Sequence, residues 1–278
     1  MATAADVQSE QTRAWNGVKG RAWVDGQPLL DRVFQPFEAL LTDDIAPQER
    51  VLDVGCGTGA VTRAAARRVG PAGSATGIDI SQPMIEAARQ RAEAEPVAAH
   101  FLCADAASHA FSPGSIDRVV SRFGVMFFAD PVPAFANLRQ ACRADAALRC
   151  AVWRSPADNP FMTVAERAAA PFLPTLPVAP PGAPGQFAFA DADRVRGILN
   201  QSGWRDVTLE KLDVPCAFPL AGLDLYLTRL GPLGQILHEA DEPTRERIVA
   251  TARAAFQPYI EGEEVRFRAA CWQLTARA

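Results

Sequence analysis

The sequence predicts an α/β fold, a doubly wound Rossmann-like three-layer sandwich, and three observations carry that reading. From about residue 50, short apolar runs alternate with amphipathic stretches. Strands separated by single helices require right-handed crossovers and a mainly parallel sheet. The first run ends in an acid, and a glycine-rich turn then leads at once into a helix.

The elements follow in order. Residues 51–54, Val-Leu-Asp-Val, read as a buried strand, and 60–69 as a helix with Arg63, Arg67 and Arg68 facing water. Residues 75–80 form a second strand. Ser81 stands at an N-cap position with Pro83 in the first turn of a helix that runs to Glu95-Pro96. Residues 98–103 and 116–121 give two more strands. Pro131 opens a helix to about Arg143, ahead of a fifth strand at 147–153. Asp191 caps a helix ending at Gly203, and a sixth strand covers 205–213. In the last run, 265–275, Arg266 and Arg268 alternate with Val265 and Phe267, the period of a half-exposed strand.

Three stretches break this rhythm, so the expectation is one domain over 1–278. Its core is about 46–154, 188–220 and 263–278, and helical or proline-rich cap elements occupy about 1–45, 155–187 and 221–262. The first cap stretch looks helical and carries Trp15, Trp23, Phe34 and Phe37. The second holds Pro171, Pro174, Pro177, Pro180, Pro181 and Pro184, a density that predicts an extended loop rather than a helix. The third reads as two or three helices.

Composition narrows the function. The 278 residues include 28 Lys+Arg and 32 Asp+Glu, a net charge of −4. An acidic excess without a basic cluster argues against nucleic acid as a partner. No apolar run approaches the ~18 residues of a membrane span, and the first residues lack the apolar block of a secretory signal, so a cytoplasmic protein is expected. Cys56, Cys103, Cys142, Cys150, Cys216 and Cys271 form no C-x-x-C pair, and His100, His109 and His238 have no metal-ligand spacing. No metal site is expected.

The segment with chemical content is Gly55-Cys56-Gly57-Thr58-Gly59. Glycines permit positive φ and close approach of a ligand, and the following helix N-terminus offers free N–H groups. Gly55-x-Gly57-x-x-Ala60 also satisfies a dinucleotide fingerprint, and Asp79, at the end of the second strand, suits ribose hydroxyls in either case. Asp53 before the turn and Asp105 after the third strand add two carboxylates at the same sheet edge. That acidity repels a pyrophosphate and favours a cationic amino-acid nucleoside.

These residues, with Gly77-Ile78-Asp79-Ile80-Ser81 and Ala104-Asp105-Ala106, resemble the class I S-adenosylmethionine-dependent methyltransferases. Within them they most resemble the ubiquinone/menaquinone C-methyltransferase-like group of small-molecule enzymes. The resemblance covers roughly 48–155, including Ser121-Arg122-Phe123-Gly124-Val125-Met126-Phe127-Phe128 after the fourth strand. It implies a seven-stranded sheet whose last strand is antiparallel, and S-adenosylmethionine as cofactor with S-adenosylhomocysteine as product. It implies that Gly55, Cys56, Gly57 and Gly59 lie under the methionine part, with Asp53 near its amino group. Asp79 would take the ribose, Ile80 and Met84 the adenine faces, and Asp105 and the Ala106 N–H the adenine edge. Arg122 and Phe123 would supply main-chain contacts beside the sulfonium. The family's Pro-Gly-Gly turn before strand five is replaced by Arg143-Ala144-Asp145-Ala146, where Asp145 tolerates a left-handed conformation.

The expected activity is methyl transfer to a small, apolar or aromatic acceptor, with no base assigned. The alternatives are a non-catalytic S-adenosylmethionine-binding protein and a nicotinamide-dependent oxidoreductase. Trp15, Trp23, Phe127, Trp153, Arg154 and Asn159 are the candidate acceptor-side residues. Phe161, Phe172, Phe187, Phe189 and Tyr226 are expected to converge on the same edge, under a lid formed by the N-terminal helices. His109 reads as a solvated loop residue, and His238 as a structural residue of the cap.

Overall fold

The first sheet strand, β1 (Arg50–Val54), is buried along all but its first residue. It feeds α4 (Ala60–Val69), whose alanine-rich face lets the helix sit close on the sheet. The computed structural model describes residues 3–95, 97–172, 182–230, 233–237 and 240–278. Ahead of β1 lie α1 (Ala4–Asn16), α2 (Val18–Asp25) and α3 (Gln27–Thr42). After α4 come β2 (Ser74–Asp79), α5 (Gln82–Glu93), β3 (Ala99–Cys103), β4 (Ile116–Arg122), α6 (Pro131–Ala141) and β5 (Cys142–Trp153). The chain continues through α7 (Pro160–Ala169), α8 (Ala192–Gln201) and β6 (Arg205–Pro219). Next are α9 (Leu223–Leu225), a π-helical turn (Tyr226–Leu230), α10 (Leu233–Leu237), α11 (Glu242–Ala255), β7 (Ile260–Glu261) and β8 (Glu264–Arg277).

The sheet runs in the order β3-β2-β1-β4-β5-β8-β6. All pairs from β3 to β5 are parallel, and β8 is antiparallel to both of its long neighbours. The doubly wound sheet with its antiparallel last strand is therefore present, with the two-residue β7 added beside β8. Strand order reverses between β1 and β4, which places a crevice over their carboxyl ends.

Several boundaries differ from the sequence reading. The expected loop at 155–187 contains α7 and a 3-10 turn (Ala170–Phe172). Pro160 sits at the first helical position, where its missing N–H costs nothing, and the next proline, Pro171, comes only after α7 has ended. Pro174, Pro177, Pro180, Pro181, Pro96 and His238 lie outside the described residues. Strand β6 runs on to Pro219 because Val214, Cys216 and Phe218 keep burying alternate positions. Helix α6 stops at Ala141, and Asp145 adopts a φ of 61° inside β5. Arg63 and Arg67 do not simply face water: both pair with Glu95, and the Arg63 side chain is only 19% exposed.

The N-terminal helices divide into two kinds. Helix α1 buries no residue, whereas α3 places Leu30, Val33, Phe34, Phe37 and Leu41 in the main core. Burying such a side chain contributes about 1.5–3 kcal/mol, so α3 belongs to the core and α1 rests on it.

Candidate functional site

A cavity opens over the carboxyl ends of β1, β2, β3 and β4, and its floor is the glycine turn. Gly55, Gly57 and Gly59 have φ of 66°, 56° and 82°, the left-handed region that glycine enters without strain. At Gly55 a side chain is also sterically impossible, since a Cβ there would stand 2.5 Å from Gly124 Cα. The turn is held from below. Gly55 N–H donates to Ile78 O at 2.8 Å, and Gly57 N–H donates to Asp79 Oδ2 at 2.9 Å. Asp79 Oδ1 accepts from Ser81 N–H at 2.9 Å, so this one carboxylate joins the turn to the start of α5. Burial pushes the Asp79 carboxyl above the ordinary aspartate value, against the pull of these N–H groups.

The β3 end adds a second acid. Asp105 Oδ1 accepts from Ala107 N–H at 2.9 Å. Asn137, on α6, donates from Nδ2 to the carbonyls of Ala106 and His109, both at 3.0 Å, and so fixes this loop from outside the cavity. His109 is half-exposed and lies edge-on to Phe111 at 4.6 Å. Asp79, Ile80, Met84, Asp105 and Ala106 all line the cavity.

The β4 end makes the opposite wall. Ser121 Oγ donates to Val54 O at 2.7 Å and accepts from Gly124 N–H at 3.1 Å, which locks the β4 loop onto the end of β1. Phe123 then takes a φ of 67°, a conformation that costs a non-glycine residue about 1–3 kcal/mol. Its ring is stacked on Trp153 at 4.3 Å and meets Phe37 edge-on at 5.1 Å, packing that holds the backbone there. Arg122, Phe123, Phe127 and Trp153 line the cavity.

The roof comes from α1 and α2. Trp15 lies edge-on to Phe127 at 5.1 Å and to Trp23 at 6.0 Å, and both tryptophans line the cavity. Ser81 is the N-cap of α5 as expected, but its hydroxyl donates to Trp15 O at 2.7 Å rather than capping the helix N–H groups. Asn16, which the sequence reading passed over, bonds the same edge through its side chain.

Five of the expected residues do not line the cavity. Asp53 lies under the turn, 2% exposed, and accepts from the Thr62 hydroxyl at 2.7 Å; burial pushes its carboxyl up to about 6. Cys56 packs its sulfur against Gly77, where a Cβ would come within 2.7 Å of Sγ. Gly59 starts α4 over the Phe101 ring. Arg154 pairs with Asp158 and Asp213 at 2.6 and 2.7 Å. Asn159 clamps Ala270, donating to its carbonyl at 2.8 Å and accepting from its N–H at 2.9 Å. Neither Arg154 nor Asn159 lines the cavity.

The expected aromatic convergence holds for Trp15, Trp23 and Tyr226 only. Phe161 stacks on Phe267 and Phe189 on Phe135 in the core, Phe187 packs on its border, and Phe172 is exposed beside Arg247. At the Tyr226 end a smaller pocket adjoins, sharing Met162, Gln186, Tyr226 and Leu230 as walls. Glu166 lines it, and burial alone raises its carboxyl above the ordinary value. Among the described residues no three His, Cys, Asp or Glu side chains gather as a metal site, and no helix is long and apolar enough to cross a membrane.

Comparison with known proteins agrees with this geometry. Residues 51–145 match the family described as "Methyltransferase domain". Nocamycin O-methyltransferase of Saccharothrix syringae is 39% identical over 40% of this chain and 41% of its own length. Aklanonic acid methyltransferase DauC of Streptomyces sp. (strain C5) is 40% identical over 37% of this chain and 49% of its own length. The match thus spans less than half of each of these curated relatives. The YcgJ protein of Bacillus subtilis superimposes with a TM-score of 0.57 at 16% identity, covering 88% of this chain and 97% of that one, a likeness of fold.

Proposed function

We propose that this chain, whose residues 51–145 form a methyltransferase domain of the class I S-adenosylmethionine-dependent kind, moves a methyl group to a small apolar or aromatic acceptor. The observation that carries the reading is one cavity lined by two chemically different sets of groups: glycine backbone, Asp79 and Asp105 on the one hand, and Trp15, Trp23, Phe127 and Trp153 on the other.

The residues present suit the cofactor. Asp79 keeps acceptor capacity beyond its two backbone bonds, which fits a pair of ribose hydroxyls. Ile80 and Met84 would cover the adenine faces, and Asp105 with the Ala106 N–H would meet its edge. A Cβ on Gly57 would touch only the Met84 sulfur, at 3.8 Å, so this backbone leaves room for a ligand. Asp53 and Cys56 would act through the turn they hold, since their side chains are buried beneath it. When bound, the cofactor supplies a methyl carbon activated by the sulfonium charge. The chain's part is to align the acceptor and exclude water, and the tryptophan roof over Phe127 suits both tasks.

The aromatic side chains of the lining support the choice of substrate class. They suit small organic ligands, and the chain carries a net charge of −4, unsuited to phosphate backbones. Two relatives bear names of methyltransferases for small organic compounds, which is compatible with this reading. Calorimetry with S-adenosylhomocysteine, followed by a screen of small apolar and aromatic acceptors with labelled cofactor, tests it. Binding of S-adenosylhomocysteine but not NADH, with label transferred to an organic acceptor, is expected. Binding of NADH in its place, or salt-sensitive labelling of bulk RNA, would overturn it.

A further inference from the structure

Glu166 lines the smaller pocket beside Tyr226 together with Phe161, Met162 and Ala165, its neighbours along one face of α7. It is half-buried and makes no hydrogen bond or ion pair among the described residues, and burial alone raises its carboxyl. A charge drawn out of water without a partner costs free energy that a counter-charge restores. The cations on α11, which packs against α7, are engaged elsewhere. Arg245 pairs with Glu242 and Arg253 with Asp224, and Arg247 lies over the Phe172 ring. Neither Glu166 oxygen is among the unpaired polar atoms closed off from the surface.

The pocket surrounds this carboxylate with rings. Phe161, Tyr226 and Phe256 all line it, and Tyr226 meets Phe256 edge-on at 5.7 Å. Aromatic faces attract a cation, the more strongly when it is shielded from water. Leu227, Leu230 and Leu233 fill much of the remaining wall, and no Lys, Arg or His belongs to it. A hydroxyl would gain from the carboxylate alone, whereas an ammonium gains from the carboxylate and the rings together. Met162, Gln186, Tyr226 and Leu230 are walls of both pockets, so one ligand can reach from the main cavity into this one.

We propose that the smaller pocket is a subsite for a protonated amine of the acceptor, with Glu166 as its counter-ion and Phe161, Tyr226 and Phe256 around it. This deepens the methyltransferase reading and rests on it: the acceptor is an otherwise apolar or aromatic compound that carries an aliphatic amino group. An ammonium paired with a carboxylate has no free electron pair with which to attack a methyl carbon. The amine is thus a handle, and a different atom of the acceptor, in the main cavity, takes the methyl group.

Calorimetry on the full chain saturated with S-adenosylhomocysteine compares 2-phenylethylamine with 2-phenylethanol, which exchanges the ammonium for a hydroxyl. Wild type should bind the amine about 5- to 30-fold more tightly. Glu166→Gln, close in shape but uncharged, should bring the two within about twofold by weakening the amine, and should melt no lower than wild type. Glu166→Asp, which holds the charge one methylene further back, should keep part of the preference. No preference in wild type, a preference that survives in Glu166→Gln, or an equal loss of both probes overturns the subsite. So does a chain that prefers the amine probe but transfers label only to acceptors without an amino group. Wild type that fails to bind S-adenosylhomocysteine in the first titration would overturn the methyltransferase reading, and the subsite with it.

Discussion

Asn16 donates from Nδ2 to the carbonyl oxygen of Ile80 at 2.9 Å, a bond that ties the end of α1 to the turn between β2 and α5. Its Oδ1 accepts from Gln82 N–H, also at 2.9 Å, so one amide side chain latches the roof with both of its atoms. Ile80 is a cavity residue, and the latch therefore joins roof to floor. Asn16→Ala removes these two latch bonds, worth about 0.5–1.5 kcal/mol each, and a third within α1 to Thr12 O at 2.8 Å. S-adenosylhomocysteine binding should weaken by about 5- to 30-fold. Helix α1 buries nothing, so a urea melt should shift by less than about 1 kcal/mol. Unchanged affinity would detach the roof from cofactor binding.

In the proposed reading Asp79 serves the turn and the ligand together. Asp79→Ala frees the N–H groups of Gly57 and Ser81 and removes the acceptor proposed for the ribose. Loss of charge-assisted bonds of this kind should cost about 10- to 150-fold in affinity. Because the ribose is common to S-adenosylhomocysteine and 5′-methylthioadenosine, which lacks the amino acid, binding of the two should weaken alike. An Asp79→Ala variant that lost only one of them would contradict the ribose role.

Asp53 carries a pH signature. Its carboxyl is pushed up to about 6 by burial from a free value of 3.8, so the folded chain holds a proton that the unfolded chain has released between those pH values. Stability therefore falls as pH rises from about 4 to 6 and levels off above about 7, a total near 3 kcal/mol at 1.36 kcal/mol per unit. Asp53→Asn keeps an acceptor for the Thr62 hydroxyl and has no charge to bury. Urea melts from pH 4 to 8 should show a flatter profile for the variant and a variant more stable than wild type at pH 7.5. Parallel profiles would mean that Asp53 is not titrating in this window.

Much of the fold was legible because its signals are local. The glycine turn, the acids at the ends of β1, β2 and β3, and the alternation of Arg266 and Arg268 with Val265 and Phe267 each declare themselves within a few residues. The left-handed Asp145 was readable for the same reason. What the sequence did not disclose depends on partners distant along the chain. Arg154 and Asn159 follow β5 at the cavity edge, yet Asp213 and Ala270 capture them. Asn16 and Asn137 look like ordinary polar residues until the fold brings Ile80 and Ala106 beside them. Phe123 gives no local hint of positive φ, because the packing of Trp153 and Phe37 imposes it. The π-helical turn that sets Tyr226 and Leu230 against the cavity has no local signature either.

The division of the N-terminal helices decides how a lid could be tested. Removing residues 1–35, most of the 1–45 stretch that the sequence marks as an addition, would cut through α3 and take Leu29, Leu30, Val33 and Phe34 from the core. Side chains of that size cost about 2–5 kcal/mol each when deleted, against a total stability of about 5–15 kcal/mol, so this truncation should not fold. Removing residues 1–16 takes away α1, which buries nothing, together with Trp15 and the Asn16 latch. That shorter deletion should leave a cooperative melt with a midpoint within a few degrees of wild type. It should bind S-adenosylhomocysteine more weakly than Asn16→Ala does, since the tryptophan over Phe127 goes as well. Turnover should fall further than affinity, because an open roof admits water and loosens the acceptor. Full activity in the shorter deletion would remove α1 from the mechanism. A folded 1–35 deletion would show instead that α3 is no part of the core.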